Sequence, residues 1–311
     1  MLENHDWPAI PYTPWKPTCE TLRLWMQIVG KIRMTLTPRL NHSWHVPLYV
    51  TARGLATSLI SSRDRQFDMR FDFIDHALDI EVADGRRKRI PLMPLSVCDF
   101  HAVVMKSLTD LGIEVAITQR PCEIAGALLF SEDRIHASYD ADAVHRFWLA
   151  LLQVDRVFKK FRAGFLGKAS PVHFFWGSFD LAVTRFSGRA APPFTGKVPG
   201  LATAVMAEAY SHEVSSAGFW PGGDGVEYPC FYSYAYPTPD GLKSAPLHLQ
   251  GAYFNETLGE FLLPYDEVRR SADPEATLLS FLQGTYEAAA NAAHWDRVAL
   301  EVHFDQPAPA H

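Results

Sequence analysis

From Gln66 to Gly85 the chain reads QFDMRFDFIDHALDIEVADG, and apolar and charged residues take turns along it. Phe67, Met69, Phe71 and Phe73 alternate with Asp68, Arg70 and Asp72; Leu78, Ile80 and Val82 alternate with Asp79 and Glu81. A period of two sends successive side chains to opposite faces, so this stretch is a pair of half-buried strands. Asp84-Gly85 turns the chain into RKRIPL, and PLYVT and ATSLI add further short strands. The expected result is an antiparallel meander with one charged face in water and one apolar face that something must cover.

Helices flank the meander. Leu22, Trp25, Val29, Ile32 and Leu36 recur three or four apart, with Thr18 as the expected N-cap and Pro38 as the stop. Ser96 to Leu111 reads as a second helix with Gly112 as its C-cap. The same order then returns. Val144, Phe147, Leu151, Val154, Phe158, Phe161 and Phe165 form a helical stripe capped at Asp140. Strands follow in VHFFW, FDLAVTRF, SHEVSSAGFW, FYSYAYP, GAYF and GEFLLPY, interrupted by a short helix at Ala202–Ala209 and closed by a helix from Pro274 to Ala290. LRLW…HVPLYVTARGL and HRFW…HFFWGSFDLAVTRFSG share that order. The reading is an α+β fold of two similar helix–antiparallel meander–helix halves, 1–130 and 131–311, packed as one unit and related by duplication.

A chain of 311 residues, 48% hydrophobic and 21% charged, can bury a sizeable core. Its net charge of -6 argues against a phosphate-backbone partner, and GRRKR at Gly85–Arg89 reads as a solvated hairpin end. Cys19, Cys98, Cys122 and Cys230 are widely spaced, which fits free thiols in a reducing compartment. The first residues lack the pattern of a signal peptide, and no apolar run is long enough for a membrane span. A cytoplasmic protein is expected. No P-loop, Rossmann fingerprint, nucleophile elbow or zincin helix is present, and no cofactor is assigned.

The residues that could carry chemistry are histidines, carboxylates and aromatics inside apolar strands. In SPVHFFWGSFDLAVTRFSGR, a regular strand would put His173 and Asp180 on opposite faces; a bulge at Gly177 would bring them together as an acid–base or orienting pair. His212 and Glu213 are adjacent, so only one can face a shared pocket from a regular strand. His42 and His45 in NHSWHVPLY are the candidate metal ligands, joined by one downstream His. Tyr232 and Tyr234 fall with Tyr236 on one face of a strand, suited to a pocket wall. Trp176 and Trp220 are candidate ligand contacts, Trp220 beside a Pro-Gly-Gly-Asp turn that reads as a lid. Lys168, Arg185 and Arg189 are candidates to meet an anionic group.

The segments WPAIPYTPW, NHSWHVPLYVTARGL, SPVHFFWGSFDLAVTRFSGR, YSHEVSSAGFWPGG and GEFLLPY resemble a bacterial family defined as a domain of unknown function. The resemblance covers nearly the whole chain. It implies a bacterial origin and puts emphasis on His42, His45, His173, Trp176, Asp180, Arg185, His212, Glu213 and Trp220, but brings no activity with it. Three functions stay open. One is a small-molecule enzyme with His173 or His212 as acid/base, oriented by Asp180 or Glu213. Another is a non-catalytic ligand- or partner-binding protein, and the third a metal enzyme using His42 and His45. The expected partner is a small molecule, with no nucleic acid and no membrane.

Overall fold

The computed structural model describes residues 6–302 except Lys197, Asp224 and His248. Helix α1, Tyr12–Leu36, is the central pillar: Leu22, Trp25, Ile28, Val29 and Ile32 are wholly buried. It begins well before Thr18, a correction to the expected cap. Pro14 lies in the first turn, where a missing N–H forfeits nothing, and Pro17 forfeits one helical bond. Thr18 instead turns sideways, its hydroxyl accepting the N–H of Asp140, and Thr21 does the same for Ser138. The helix stops before Pro38, with Thr37 extended as a residue preceding proline must be.

The first sheet contains β1 (Tyr49–Thr51), β2 (Gly54–Ala56), β3 (Ile60–Ser62), β4 (Arg65–Asp72), β5 (Ala77–Val82) and β6 (Arg87–Pro91). Their order is β1-β2-β4-β5-β6, with β3 pairing β4. Phe67 faces Val82, Met69 faces Ile80 and Phe71 faces Leu78, all buried; Arg70 faces Asp79 on the wet side. The alternation thus fixes the register, because a slip of one residue would turn every phenylalanine to water. Helix α2 (Val97–Asp110), capped by Ser96 on the N–H of Asp99, covers the dry face beside α1. Trp25 stacks on Phe100 at 4.5 Å between centroids, and Phe100 stacks on Phe71. Each such side chain withdrawn from water contributes about 1.5–3 kcal/mol.

Helix α3 (Ala141–Ala163), capped by Asp140 on the N–H of Ala143, leads into the second half. Its strands are β7 (His173–Phe175), β8 (Asp180–Ala190), β9 (His212–Trp220), β10 (Cys230–Tyr236), β11 (Tyr253–Asn255) and β12 (Glu260–Pro264). They form an antiparallel sheet in the order β11-β12-β10-β9-β8-β7. Helices α4 (Thr203–Ala209), α5 (Tyr265–Arg269), α6 (Pro274–Ala292) and α7 (Arg297–Leu300) complete the chain. α3 and α6 cover the face bearing Leu181, Val183 and Phe219. Leu48 and Phe174 exchange two N–H···O bonds of 2.9 Å, tying the β1 end of the first half to β7. A single cluster of buried apolar residues runs through both halves. Among the described residues no helix is long and apolar enough to cross a membrane.

Candidate functional site

The face of the second sheet turned away from α3 and α6 is not packed solid. A cavity of about 660 Å³ lies on it. Its floor is set by register: Ala182 faces Gly218, which faces Tyr232; Thr184 faces Ser216, which faces Tyr234. Side chains opposite one another on antiparallel strands share a face, so these rows point into the cavity together. Phe231 pairs with Leu263 and Ser233 with Phe261 on the helix side, which leaves Glu260 with Tyr234 on the cavity side. Trp176 and Trp220 close two sides, and α4 with the segment from Val198 to Met206 forms the roof against a one-turn helix at Asn41–Ser43.

VHFFW and FDLAVTRF are two strands of a hairpin, not one bulged strand, which corrects the expectation for Gly177. Trp176 to Phe179 make the turn, Phe179 taking a left-handed φ of 64° and donating its N–H to the Phe175 carbonyl at 2.8 Å. The hairpin pairs His173 with Ala182 and Phe175 with Asp180, so His173 and Asp180 do share the face. They do not meet as a pair. The His173 imidazole is sealed between Trp44, Tyr49 and Phe175, with ring centroids 5.4–6.0 Å away, and among the described residues neither nitrogen has a hydrogen-bond partner. Burial, then the charges of Arg33 and Arg162, push its pKa down to about 3. It is a neutral, enclosed imidazole beside the cavity wall.

Asp180 holds the centre of the floor. Ser178 donates its hydroxyl to one carboxyl oxygen and Tyr232 donates to the other. Tyr232 reaches it by lying flat across Gly218, where a Cβ would stand 2.3 Å from the phenol ring. Burial raises the Asp180 pKa against the pull of those two hydroxyls. Tyr210 and Tyr234 share a hydrogen bond of 3.2 Å, and Thr184 and Ser216 one of 2.9 Å. Glu260, half-buried at the start of β12, is pushed up to about 7 by burial and then by the charge of Asp180. A carboxyl group that titrates near neutrality next to a second, deeper one is equipped to give or take a proton.

The other expected residues are distributed around this centre. Trp176 lines the cavity, its Nε1–H held by the Val46 carbonyl at 2.9 Å and its indole pressed onto Gly30 of α1. Trp220 lines it too, its Nε1–H donated to the Ser178 carbonyl at 3.2 Å, while Asp224 of the adjoining turn lies outside the described residues. His42 and His45 sit at the mouth. Lys168 bonds His42 Nε2 at 2.8 Å, and His45 Nδ1 accepts the Leu40 N–H at 3.2 Å, so one nitrogen of each ring is already engaged. Among the described residues no His, Cys, Asp and Glu gather into a set of three able to hold a metal ion.

Several assignments need correction. Arg185 is on the opposite face, packed against Phe161 and Tyr286 at 3.5 and 4.3 Å and donating to the Phe161 carbonyl; it cannot reach the cavity. Glu213 is also on that far side, held by Arg189 at 2.7 Å and Ser187 at 2.8 Å, which removes both Glu213 and Arg189 from the site. His212 approaches His42, with ring centroids 6.3 Å apart, but does not line the cavity. The sequence reading missed Glu260, Tyr210 and Ser178. Glu260 had one usable signal: in GEFLLP it alternates with Phe261 and Leu263, the pattern of a residue turned away from the helices.

A protein-family model described as "Family of unknown function (DUF5996)" matches residues 7–302. No curated protein and no solved structure matches the chain.

Proposed function

We propose, for a chain that belongs to this family of unknown function, that it takes a small molecule into the cavity on the second sheet and acts on it with carboxyl groups. The observation that carries the reading is Asp180 at the floor of a largely apolar, aromatic-walled cavity, with Glu260 as the second carboxyl. Deep apolar pockets with a few convergent polar groups are where ligands are bound. Glu260 is the acid–base group; Tyr232 and Ser178 orient Asp180. His173, sealed beside the wall, and His212, outside the cavity, take no part in the chemistry.

A non-catalytic binding protein is the second reading. It is favoured by the two hydroxyl bonds that already occupy the Asp180 oxygens. Turnover separates them: a molecule captured from a metabolite mixture is recovered altered in one case and intact in the other. Both readings expect thermal stabilisation by a captured ligand and loss of affinity by about tenfold or more in Asp180→Asn, the scale of a hydrogen bond to a charged group. Unchanged affinity in that variant would count against both.

The setting is read as cytoplasmic and bacterial, supported by the wide spacing of the four cysteines and by the sequence resemblance. The net charge of -6 supports a partner other than nucleic acid. The matching order of a long helix and a six-stranded antiparallel sheet in each half supports duplication.

A further inference from the structure

We propose that the molecule held by the cavity is an organic cation, an amine on an apolar body. The inference rests on the reading of this cavity as a ligand site and names the class of ligand. Its basis is a charge imbalance built into the floor. Among the described residues neither Asp180 nor Glu260 has a lysine or arginine within ion-pair distance; the Asp180 carboxyl accepts from the neutral hydroxyls of Ser178 and Tyr232 and from its own backbone N–H. Arg23, the nearest guanidinium to act on Asp180, donates to the Gly177 carbonyl at 2.8 Å and the Glu123 carbonyl at 3.2 Å. At the mouth, Arg39 is paired with Glu208 at 3.0 Å and Lys168 is turned onto His42 and the rings of Trp44 and Phe186. Among the described residues no basic side chain forms an ion pair with Asp180 or Glu260, Arg23 acting on Asp180 through its charge alone, and buried carboxylates call for a counter-charge.

The walls suit a cation as well. Tyr232 and Tyr234 stack side by side, 6.2 Å between centroids and 18° between planes, and Trp220 stands edge-on to Tyr232. Tyr210 completes this side through its hydroxyl bond to Tyr234. Aromatic rings beside carboxylates, shielded from water, are the setting in which an alkylammonium gains both Coulomb and cation–π attraction. The groups facing Glu260 are Asp180 from β8, Cys230, Tyr232 and Tyr234 from β10, and Tyr210 beyond α4. All are neutral or acidic. An entering ammonium thus favours ionised Glu260, and its affinity rises as pH rises through the Glu260 titration near 7.

The test is a titration of the full chain with isosteric triplets of arylalkyl compounds of graded length, each an amine, the matching alcohol and the matching carboxylate. Binding is read by tryptophan fluorescence and by thermal shift at pH 6, 7 and 8. The expected result is that the amines bind at least about tenfold tighter than the alcohols, more tightly at pH 8 than at pH 6. Glu260→Gln removes the pH dependence, and Asp180→Asn, which keeps the shape of the floor, lowers the amine preference. Alcohols or carboxylates binding as well as amines would overturn the cation inference and leave the ligand site standing. Failure of all three classes to bind would overturn both.

Discussion

His173 shows what a single buried side chain does to the pH dependence of the molecule. With its pKa down to about 3 by burial, the folded chain keeps the ring neutral while the unfolded chain protonates it near 6.5. The unfolded state therefore binds more protons below about pH 6.5, and stability falls as pH falls through that window, by up to about 1.4 kcal/mol per pH unit. Urea unfolding of the natural protein and His173→Leu between pH 7 and 5, above most carboxylate titrations, checks this. The natural protein loses stability over the interval and the variant loses less. Arg185 makes the contrasting case: Arg185→Ala empties a space between Phe161 and Tyr286 and costs about 2–5 kcal/mol, yet leaves ligand affinity unchanged, because the side chain is on the far face. Such roles are hard to see in sequence. A histidine beside phenylalanines looks the same whether its ring meets a ligand or is sealed behind Trp44, and only the packing of Trp44 and Tyr49, distant in the chain, decides it.

Elements whose signal is local were legible. Asp140 caps α3 as its position predicts, α2 lies within the expected Ser96–Leu111 with Ser96 as its cap, and the alternating faces of β4, β5 and β10 follow the residues in order. The start of α1 was not legible, because Pro14 and Pro17 look like breakers and Thr18 looks like a cap. The Thr18 hydroxyl is spent on Asp140, a partner met only after folding. The hairpin at Trp176–Phe179 was hidden for a related reason: Phe179 adopts a left-handed φ that its residue type does not advertise. Two glycines carry a prediction at this scale. Gly30 lets the Trp176 indole lie on α1, where a Cβ would fall 2.2 Å from the ring, and Gly218 does the same for Tyr232. Gly30→Ala is expected to cost about 1–3 kcal/mol by overpacking and to shift the Trp176 emission. Gly218→Ala displaces Tyr232 from Asp180 and weakens ligand binding with a smaller loss of stability, a split measured by parallel unfolding and titration.

At the scale of the molecule, the two sheets are finished differently. The first turns its charged face to water and its apolar face to α1 and α2; the second is covered on both faces, with helices packed against one and a cavity enclosed on the other. That enclosure needs parts from both halves: Trp44 and His42 from the loop after α1, Glu123 from the segment after α2, α4 from the second half. An α+β architecture follows from the period of the strands, but a cavity made by joining remote segments leaves no periodic trace in any of them. The cavity's role as a ligand site is tested most directly by a crystallographic fragment screen of the full chain. Fragment density between Tyr232, Trp220 and Glu260, against Asp180, is the predicted result. Fragments found only elsewhere, for instance in the groove of about 500 Å³ beside Tyr12 and Tyr228, with the cavity empty at saturating concentrations, would contradict the account.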